Sequence, residues 1–447
     1  MYLRTLTTML ILLAASIASA ASTAFVNVNV IPMTADTVIR SQTVIVSDGL
    51  IQTIGAFGST PVPSDAEIVD GTDRYLMPGL AEMHGHVPGG DAANLARVLS
   101  LYVANGVTTV RGMLGQSSHL TLRAKIEAGE TLGPRLFTSG PSLNGESVKS
   151  PAAGRAMVRA QHDAGYDFIK IHPGLTLAEF DAIAKTANQL DMPFAGHVPE
   201  DVGVERALAA GIASIDHLDG YMQSLLRPND DPSGGLAGFF GVFIADQADE
   251  DKIAGIARAT AAAGVWNVPT ESLFVHVTSP ALSSEELAER HEMKYMPAAT
   301  VAQWKQYKDE LLRDPSYKPE TALRAEQLRR RLIFELHNAG AGLLLGSDSP
   351  QVFNVPGFAL HDELELLVGA GLSPFAALKT GTVNASVYFG QQEKWGTVQE
   401  GRTADLVLLD ANPLVDINNS RRIHGVMVRG RWLPHSALNE LLQEIGH

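Results

Sequence analysis

Two histidines lie two positions apart in the stretch MPGLAEMHGHV, at His84 and His86. In an extended strand, residues i and i+2 point to the same face, so both imidazoles would project together from one strand end. Imidazole nitrogens are common ligands of zinc and other divalent metals. Two polar residues at a strand-to-loop junction would show the same spacing, so the pair alone does not establish a metal site.

Other groups that can bind a metal follow later apolar stretches, and the first three of them are separated by about one strand and one helix each. They are Lys170 in FIKIH, His197 in AGHVP, His217 in SIDHL and Asp348 in GSDSP. If these stretches are parallel strands of one barrel, their carboxyl ends meet at a single mouth. Four imidazoles and a carboxylate can hold divalent metal there. The sequence therefore predicts a metal site at that mouth.

Lys170 is the unusual member of this group, because an ammonium beside a metal cation is repelled. A neutral lysine amine, however, can add carbon dioxide and become an anionic carbamate with two oxygens. The alternative for Lys170 is a salt bridge with an acid such as Asp167. His172 follows in the same strand, and either a pocket position or a packing role would explain it.

The elements that would position these residues alternate through the middle of the chain, about 78–385. Eight strand-like stretches are separated by amphipathic helical ones: GLAEMHGH, GVTTVRG, PRLFTSG, DFIKIH, PFAGHV, SIDHL, GVWNVPT and GLLLGSD. This alternation predicts an α/β fold and favours a closed (β/α)8 barrel. An open doubly wound sheet is the alternative, but no G-x-G-x-x-G follows the first strand.

The two ends of the chain are rich in short strands. An Asp48-Gly49 hairpin signal lies in VIVSDGLIQTIG, and ADLVLLD and GVMVRGRWL have the same texture near the other end. We therefore predict one small β domain from residues 21–77 and 386–447, around a barrel of residues 78–385. The longer intervals 218–245 and 271–320 would leave the active-site face, as a lid or as plain insertions.

Composition narrows the classes of function. The chain has 447 residues, a net charge of −15 and no cysteine. The acidic balance argues against nucleic-acid binding, which needs a basic surface, and the missing cysteines exclude thiolate ligands and disulfides. Residues 1–20 have the pattern of a cleavable signal peptide ending in Ala18-Ser19-Ala20. We expect an exported, periplasmic or secreted protein without a stable membrane anchor.

This set of residues resembles the amidohydrolase superfamily in its binuclear, carboxylated-lysine form. DGLIQTIG, YLMPGLAEMHGHV, GVTTVRGM, FIKIH, SIDHL and LLLGSDSP are similar to its successive motifs. The tail, with LHDELELLVGAGLSPFAALKTGTVNAS and WGTVQEGRTADLVLLDANPL, resembles the branch of imidazolonepropionase-like enzymes and Xaa-Pro or Xaa-Arg dipeptidases. The resemblance implies a distorted (β/α)8 barrel with a small β-sandwich built from both termini.

The resemblance also implies a ligand set for two divalent metals, with zinc as the expected metal. The more buried metal would be held by His84, His86 and Asp348, and the second by His197 and His217. Carboxylated Lys170 would bridge the two.

The activity implied is hydrolysis of a C–N bond in a dipeptide or N-acyl amino acid. A metal-bridging hydroxide would attack, and Asp348 would act as general base and then acid. The same site acting on a cyclic amide, lactone, carbamate or phosphotriester is an alternative, and a non-catalytic binding protein is a remote one. The partner would be a small amide or peptide, and homo-oligomer formation is left open.

Two residues are candidates for substrate contacts. Tyr221 follows His217 by four residues and could donate a hydrogen bond to a substrate carboxylate. Arg111, at the end of the second strand, could pair with that carboxylate or with an acid of the protein.

Overall fold

The computed structural model describes residues 22–227 and 237–446. The predicted signal peptide lies outside these residues, as does part of the first long interval. In the part of the chain that is described, no helix is long and apolar enough to cross a membrane.

The strands of the described chain fall into a terminal group and a central group. The terminal strands are β1 (Thr23–Val30), β2 (Ile39–Ser47), β3 (Leu50–Ala56), β4 (Glu67–Asp70), β5 (Tyr75–Pro78), β14 (Leu406–Leu409), β15 (Ile423–Val428) and β16 (Arg431–Pro434). The central strands are β6 (Leu80–Gly85), β7 (Val107–Gly112), β8 (Arg135–Thr138), β9 (Ile169–Ile171), β10 (Phe194–Gly196), β11 (Ser214–Asp216), β12 (Trp266–Val268) and β13 (Gly342–Leu343).

At least one helix separates each pair of consecutive central strands. They are α1 (Ala92–Ala104), α2 (Ser118–Glu127), α3 (Pro151–Ala164), α4 (Leu177–Gln189), α5 (Gly203–Ala210), α6 (Tyr221–Ser224), α7 (Ile253–Ala262), α8 (Glu271–Thr278), α9 (Ser284–Ala288), α10 (Ala298–Arg313), α11 (Pro319–Asn338), α12 (Phe358–Gly369), α13 (Pro374–Thr380), α14 (Val383–Tyr388) and α15 (His435–Ile445). Short 3-10 segments are Phe239–Gly241, Ala245–Gln247, Glu250–Lys252, His291–Tyr295 and Ile417–Arg421.

The terminal strands form one mixed sheet in the order β16-β15-β14-β5-β1-β2-β3, with β4 paired to β1. The antiparallel ladder between β14 and β5 joins the two ends of the chain. The predicted hairpin between β2 and β3 is confirmed, because Asp48 and Gly49 both have positive φ, as a two-residue turn of this kind requires. The described terminal strands make a single sheet, so the β-sandwich stays a prediction.

The central strands form two parallel sheets, β6-β7-β8 and β13-β12-β11-β10-β9. At one seam, isolated parallel bridges join Ser139 to Phe168 and Leu143 to Ile171. At the other seam, the Met83 N–H donates to the Leu345 carbonyl at 2.8 Å. The α/β prediction is confirmed, and each predicted central stretch contains a strand. The ladder is not continuous around the ring, so the closed barrel stays a prediction.

The second long interval, 271–320, is more buried than its polar composition indicates. All eight residues of α8 are buried. Its polar side chains have partners at this position: Glu271 Oε2 pairs with Arg329 at 2.8 Å, and His276 Nδ1 lies 2.7 Å from Asn354 Oδ1. This helix is therefore a structural element of the mouth and not a solvated insertion.

Candidate functional site

Three of the predicted ligands converge at the carboxyl end of the central strands. His84 and His86 lie at the end of β6, and Asp348 lies in the loop after β13. One ligand atom from each lies within 4.8 Å of the others. Asp348 Oδ1 is 3.0 Å from His86 Nε2 and 3.6 Å from His84 Nε2.

The chemistry of these three groups fits a divalent cation. Asp348 Oδ1 is buried and accepts no hydrogen bond from the described residues. Burial, together with the charge of Lys170, lowers the pKa of both histidines, to about 3 for His86, so their rings are neutral near pH 7. Two neutral imidazoles and an unsatisfied carboxylate oxygen around one point are the donor set of a zinc-type site.

Lys170 lies beneath these histidines and is fully buried. Its Nζ is 3.5 Å from His84 Nε2 and 4.0 Å from Asp216 Oδ2. The alternative partner, Asp167, pairs instead with Arg123 at 2.7 Å. Burial lowers the pKa of Lys170 to about 8, against the charges of Asp216 and Asp348, which raise it. A substantial fraction of neutral amine, the form that adds carbon dioxide, is therefore available near pH 8.

His197 and His217 complete the cluster on the neighbouring strands. The His217 ring centroid is 4.4 Å from that of His84 and 4.6 Å from that of His197. His217 Nδ1 is 2.8 Å from Thr270 Oγ1, and His197 Nδ1 is 3.0 Å from Asp219 Oδ2. These contacts occupy one nitrogen of each ring and leave Nε2 as the nitrogen available to a ligand.

Asp216 is a site residue that the sequence reasoning missed. Its Oδ2 is 2.9 Å from His84 Nδ1, and both its oxygens accept hydrogen bonds from Arg111 Nη2, at 3.0 and 3.2 Å. Burial raises the pKa of Asp216, but the charges of Arg111 and Lys170 outweigh it and keep the carboxyl ionised. The signal was present in SIDHL, because Ser214 and Asp216 are polar at strand spacing and so share one face.

Several residues at the mouth have left-handed backbone conformations. His217 (φ 64°), Leu218 (φ 53°), Thr270 (φ 48°) and Asp348 (φ 61°) are non-glycine residues with positive φ. Such conformations cost about 1–3 kcal/mol each and persist only where the surroundings impose them. Arg329 stabilises this backbone, because its guanidinium donates hydrogen bonds to the carbonyls of His217 and Pro269, at 2.8 and 2.9 Å.

The histidine cluster opens into a cavity of about 470 Å³. Its polar floor contains the site histidines, His172 and Asp348. Its walls are largely apolar and come from the two long intervals and the loop after β13: Phe239, Phe240, Leu273, Gln303, Trp304, Tyr307, Gln351 and Val352. Both intervals therefore contribute to the site, whereas their individual aromatic residues carried no distinguishing pattern in the sequence.

The predicted substrate contact at Tyr221 does not agree with the structure. Tyr221 is 1% exposed, does not line this cavity, and donates to Asn267 Oδ1 at 2.8 Å. Arg111 pairs with a protein acid, the second of its two alternatives. His172 does line the cavity, and its Nδ1 is 3.0 Å from Ser142 Oγ.

A barrel-like α/β scaffold with histidines, a lysine and an aspartate at the strand ends defines a class of metal-site hydrolases. The chain belongs to the amidohydrolase family, whose model matches residues 75–433. The predicted family, and with it an enzyme class that hydrolyses carbon–nitrogen bonds, is confirmed.

Individual relatives agree with this membership. The ochratoxinase of Aspergillus niger is 24% identical over 417 residues, covering 85% of this chain and 79% of that protein. The fold is similar to that of a bottromycin amidohydrolase, with a TM-score of 0.72, 23% identity, and coverage of 95% of this chain and 89% of that one. A Xaa-Pro dipeptidase has a TM-score of 0.65 at 20% identity, with coverage of 93% and 100%. The predicted branch is consistent with these similarities.

Proposed function

We propose that this protein is a metal-dependent hydrolase that cleaves the amide bond of a small molecule, such as a dipeptide or an N-acyl amino acid. The observation that carries the proposal is the buried Asp348 Oδ1, which accepts no hydrogen bond from the described residues and faces His84 and His86 at the floor of the cavity.

The residues proposed to hold metal divide into two sets. His84, His86 and Asp348 would hold one divalent ion, and His197 and His217 a second, with carboxylated Lys170 between them. Zinc is the metal we expect, because its preferred ligands are imidazole and carboxylate groups. Bound metal would lower the pKa of a water molecule and polarise the scissile carbonyl.

Asp348 is the residue proposed to move the proton. Its Oδ2 lies 3.7 Å from His217 Nδ1, so both carboxylate oxygens face the histidine cluster. We infer that it accepts a proton from the attacking water and delivers it to the leaving nitrogen, as a general base and then a general acid. The His217 ring is held in place by the 2.8 Å contact between its Nδ1 and Thr270 Oγ1.

The organisation proposed for the whole chain follows from the sequence. Residues 78–385 would form a distorted closed barrel that carries the site, and residues 21–77 and 386–447 a β-sandwich beside it. Residues 1–20 would direct export to the periplasm or the medium and be removed.

Metal content and hydrolysis together test the proposal. The purified protein, supplied with zinc and bicarbonate, should bind close to two zinc ions per chain by plasma mass spectrometry. It should also hydrolyse members of a panel of dipeptides, N-acyl amino acids and simple amides, and a chelator should abolish that turnover. Bicarbonate should increase zinc uptake if Lys170 is carboxylated. Full folding with no zinc bound and no amide cleaved would refute the function.

A further inference from the structure

Four aromatic side chains surround the cavity above the histidines. Phe239 and Phe240 come from the first long interval, and Trp304 and Tyr307 from α10 in the second. The Phe239 ring centroid is 4.4 Å from that of Phe240 and 6.4 Å, edge-on, from that of Tyr307. Two segments that are distant in sequence thus meet as one aromatic wall.

Phe240 is the member of this wall closest to the histidines. Its ring stacks on His217 at a centroid distance of 4.7 Å and an interplanar angle of 11°. Its backbone is left-handed, with φ 48° and ψ 40°, which is a genuine outlier for a bulky residue. Strain of this kind persists where the surroundings determine it and is concentrated at functional sites.

The wall rests on a small hydrophobic core of its own. Trp304 is 8% exposed and meets the ring of Phe353 edge-on at 6.0 Å. Leu273 and Val352 belong to the same cluster, against which Phe239 and Phe240 pack. The aromatic surface is therefore held in place by packing within the protein, and a surface held in this way reduces the entropy lost on binding an apolar group.

The described lining of the cavity offers no cationic side chain to a negatively charged substrate group. Among the described residues, those that line it include no lysine or arginine. Nearby cations are already engaged: Lys308 donates to the carbonyls of His276 and Ser279, Lys305 pairs with Glu285, and Arg329 pairs with Glu271. A carboxylate placed against this wall would lose water without gaining an ion pair.

Neutral polar groups are present instead. The side-chain amides of Gln303 and Gln351 line the cavity and form no hydrogen bond within the described residues. An amide side chain offers a donor and an acceptor without charge. This combination suits a neutral polar substrate that carries an aromatic ring.

We propose that the cavity selects amides that carry an aromatic group and no free carboxylate beside the scissile bond. Phe239, Phe240, Trp304 and Tyr307 would be the specificity-determining residues. The inference rests on the proposed amide hydrolysis and narrows it, because dipeptides and N-acyl amino acids would be accepted best with their carboxyl group blocked.

Two matched comparisons test the preference with the zinc-supplied protein. N-phenethylacetamide and N-acetylphenylalanine share one scissile bond and differ by the carboxylate. N-phenethylacetamide and N-isopentylacetamide differ by the ring. We expect kcat/KM for the phenethyl amide to be about tenfold or more above that of each of the others, which is the scale of discrimination by an apolar pocket.

Binding to the metal-free protein provides a readout that does not depend on turnover. The probe is the methyl ketone in which a methylene replaces the amide nitrogen of N-phenethylacetamide. Trp304 is the one tryptophan among the described lining residues, so probe binding should change the tryptophan fluorescence, and Trp304→Phe should remove that change while retaining binding.

Variants at the exposed end of the wall separate specificity from folding. Tyr307 is 44% exposed, so Tyr307→Ser should fold normally and raise KM for the phenethyl amide about tenfold with little change in kcat. Tyr307→Phe should retain the wild-type KM because the ring remains. Phe57→Ser, in the turn that follows β3 and at a side chain that is 52% exposed, is the matched control and should change nothing.

The possible outcomes are distinct. Preference for N-acetylphenylalanine, or equal rates for the phenethyl and isopentyl amides, would overturn the inference while leaving amide hydrolysis intact. Ketone binding that Tyr307→Ser weakens, without cleavage of any amide, would support the pocket and refute the proposed function. No ketone binding and no dependence on Tyr307 would overturn the inference whatever is hydrolysed.

Discussion

Asp348 combines a strained backbone with a buried carboxylate. It has a left-handed backbone, and its buried carboxylate points to three histidines. Burial raises its pKa well above the usual range in the absence of a cation. A cation bound among these groups reverses that effect and favours the ionised form. Under the proposed mechanism, metal binding and proton transfer would therefore be coupled at a single side chain.

Replacing Asp348 with Asn should lower kcat by about 10²- to 10⁴-fold, the usual contribution of a general acid–base group. Asn keeps the size and one oxygen ligand but cannot accept the proton, so most of the zinc should remain. Steady-state rates and metal content of the same preparation measure both effects. Asp201→Asn, at an exposed position, is the control, and a variant at Asp348 with the wild-type rate would remove this residue from the mechanism.

Asp216 contacts His84, one of the proposed metal ligands, and would position its ring. Its carboxylate lies 2.9 Å from His84 Nδ1, and the negative charge there favours the tautomer with the ring proton on Nδ1 and the lone pair on Nε2. Asp216→Asn should weaken binding of the first zinc about 10- to 100-fold, the usual effect of losing such a partner. Competition with a chelating dye measures the affinity, after circular dichroism has established the folded fraction.

The matched variant is Asp219→Asn, because Asp219 holds His197 in the same way, at 3.0 Å. It should weaken the second zinc and leave the first unchanged. If the two variants have the same effect on both binding steps, the carboxylates do not position individual histidines.

At the scale of elements, the mouth depends on how α8 begins. Thr270 precedes the helix with a left-handed backbone and gives no side-chain cap. Glu363 of α12 takes that role, because its two oxygens accept hydrogen bonds from the backbone N–H groups of Glu271 and Ser272, at 2.9 and 2.7 Å. Helix α12 thus fixes the start of α8, the helix that supplies Leu273 to the cavity wall.

Glu363→Ala should lower the free energy of unfolding by about 1–3 kcal/mol, because it removes this cap and leaves buried N–H groups without a partner. Denaturant unfolding measures the change. Glu365→Ala, on the same helix, removes only an exposed 3.3 Å contact with Arg421 and should cost less than about 1 kcal/mol. Equal losses in the two variants would show that the cap contributes nothing specific.

The periodic elements could be predicted from the sequence because burial imposes periodicity. Each central strand, including the short β11 and β12, was expected from an apolar run that ends in polar residues. The identity of the site residues followed from their position at strand ends, where the fold brings distant residues together. Lys170, His197 and His217 are separated by 20 residues or more in sequence, and the parallel strands bring them side by side.

The sequence did not predict the irregular turns of the backbone or the pairings between residues that are distant in sequence. Tyr221 was placed beside His217 by counting four residues, but Leu218 and Gly220 both have positive φ and turn the chain back. Its hydroxyl therefore points into the interior, between Thr260 and Asn267. The burial of α8 was missed for a related reason, since its polar residues are satisfied by partners far away in sequence. Pairings of this kind have no local signal.

At the scale of the whole molecule, the terminal sheet and the central part are joined by buried polar contacts. Asp405, at the start of β14, is 5% exposed, pairs with Arg135 at 3.0 Å and accepts a hydrogen bond from the backbone N–H of Arg429. His361 of α12 connects to both α1 and the C-terminal region, through contacts with the Asn105 carbonyl at 3.2 Å and Ser420 Oγ at 2.9 Å. These contacts predict that the two parts unfold together.

His361 also predicts how stability depends on pH. Burial, together with the charge of Arg421, lowers the pKa of His361 to about 4, although the Asn105 carbonyl and Asp362 raise it. The unfolded chain binds this proton near the ordinary value of about 6.5. The contribution of His361 to stability is therefore fully present above pH 6.5 and is lost as the pH falls through 4. The loss is on the order of 3 kcal/mol.

His361→Gln should reduce the loss of stability between pH 6.5 and pH 4, because glutamine stays neutral across that range. The metal-free protein should be used, so that release of zinc does not contribute, and denaturant unfolding should be measured at several pH values. Absolute stability will also fall at pH 7, since the two hydrogen bonds of the ring are altered; the slope with pH is therefore the informative quantity.

His276, whose pKa burial lowers to about 4, will keep part of the wild-type slope. His162→Gln, on the exposed face of α3, controls for the loss of a histidine. If stability curves of the His361 variant and the wild type run parallel from pH 6.5 to pH 4, the ring at this junction does not cause the acid sensitivity.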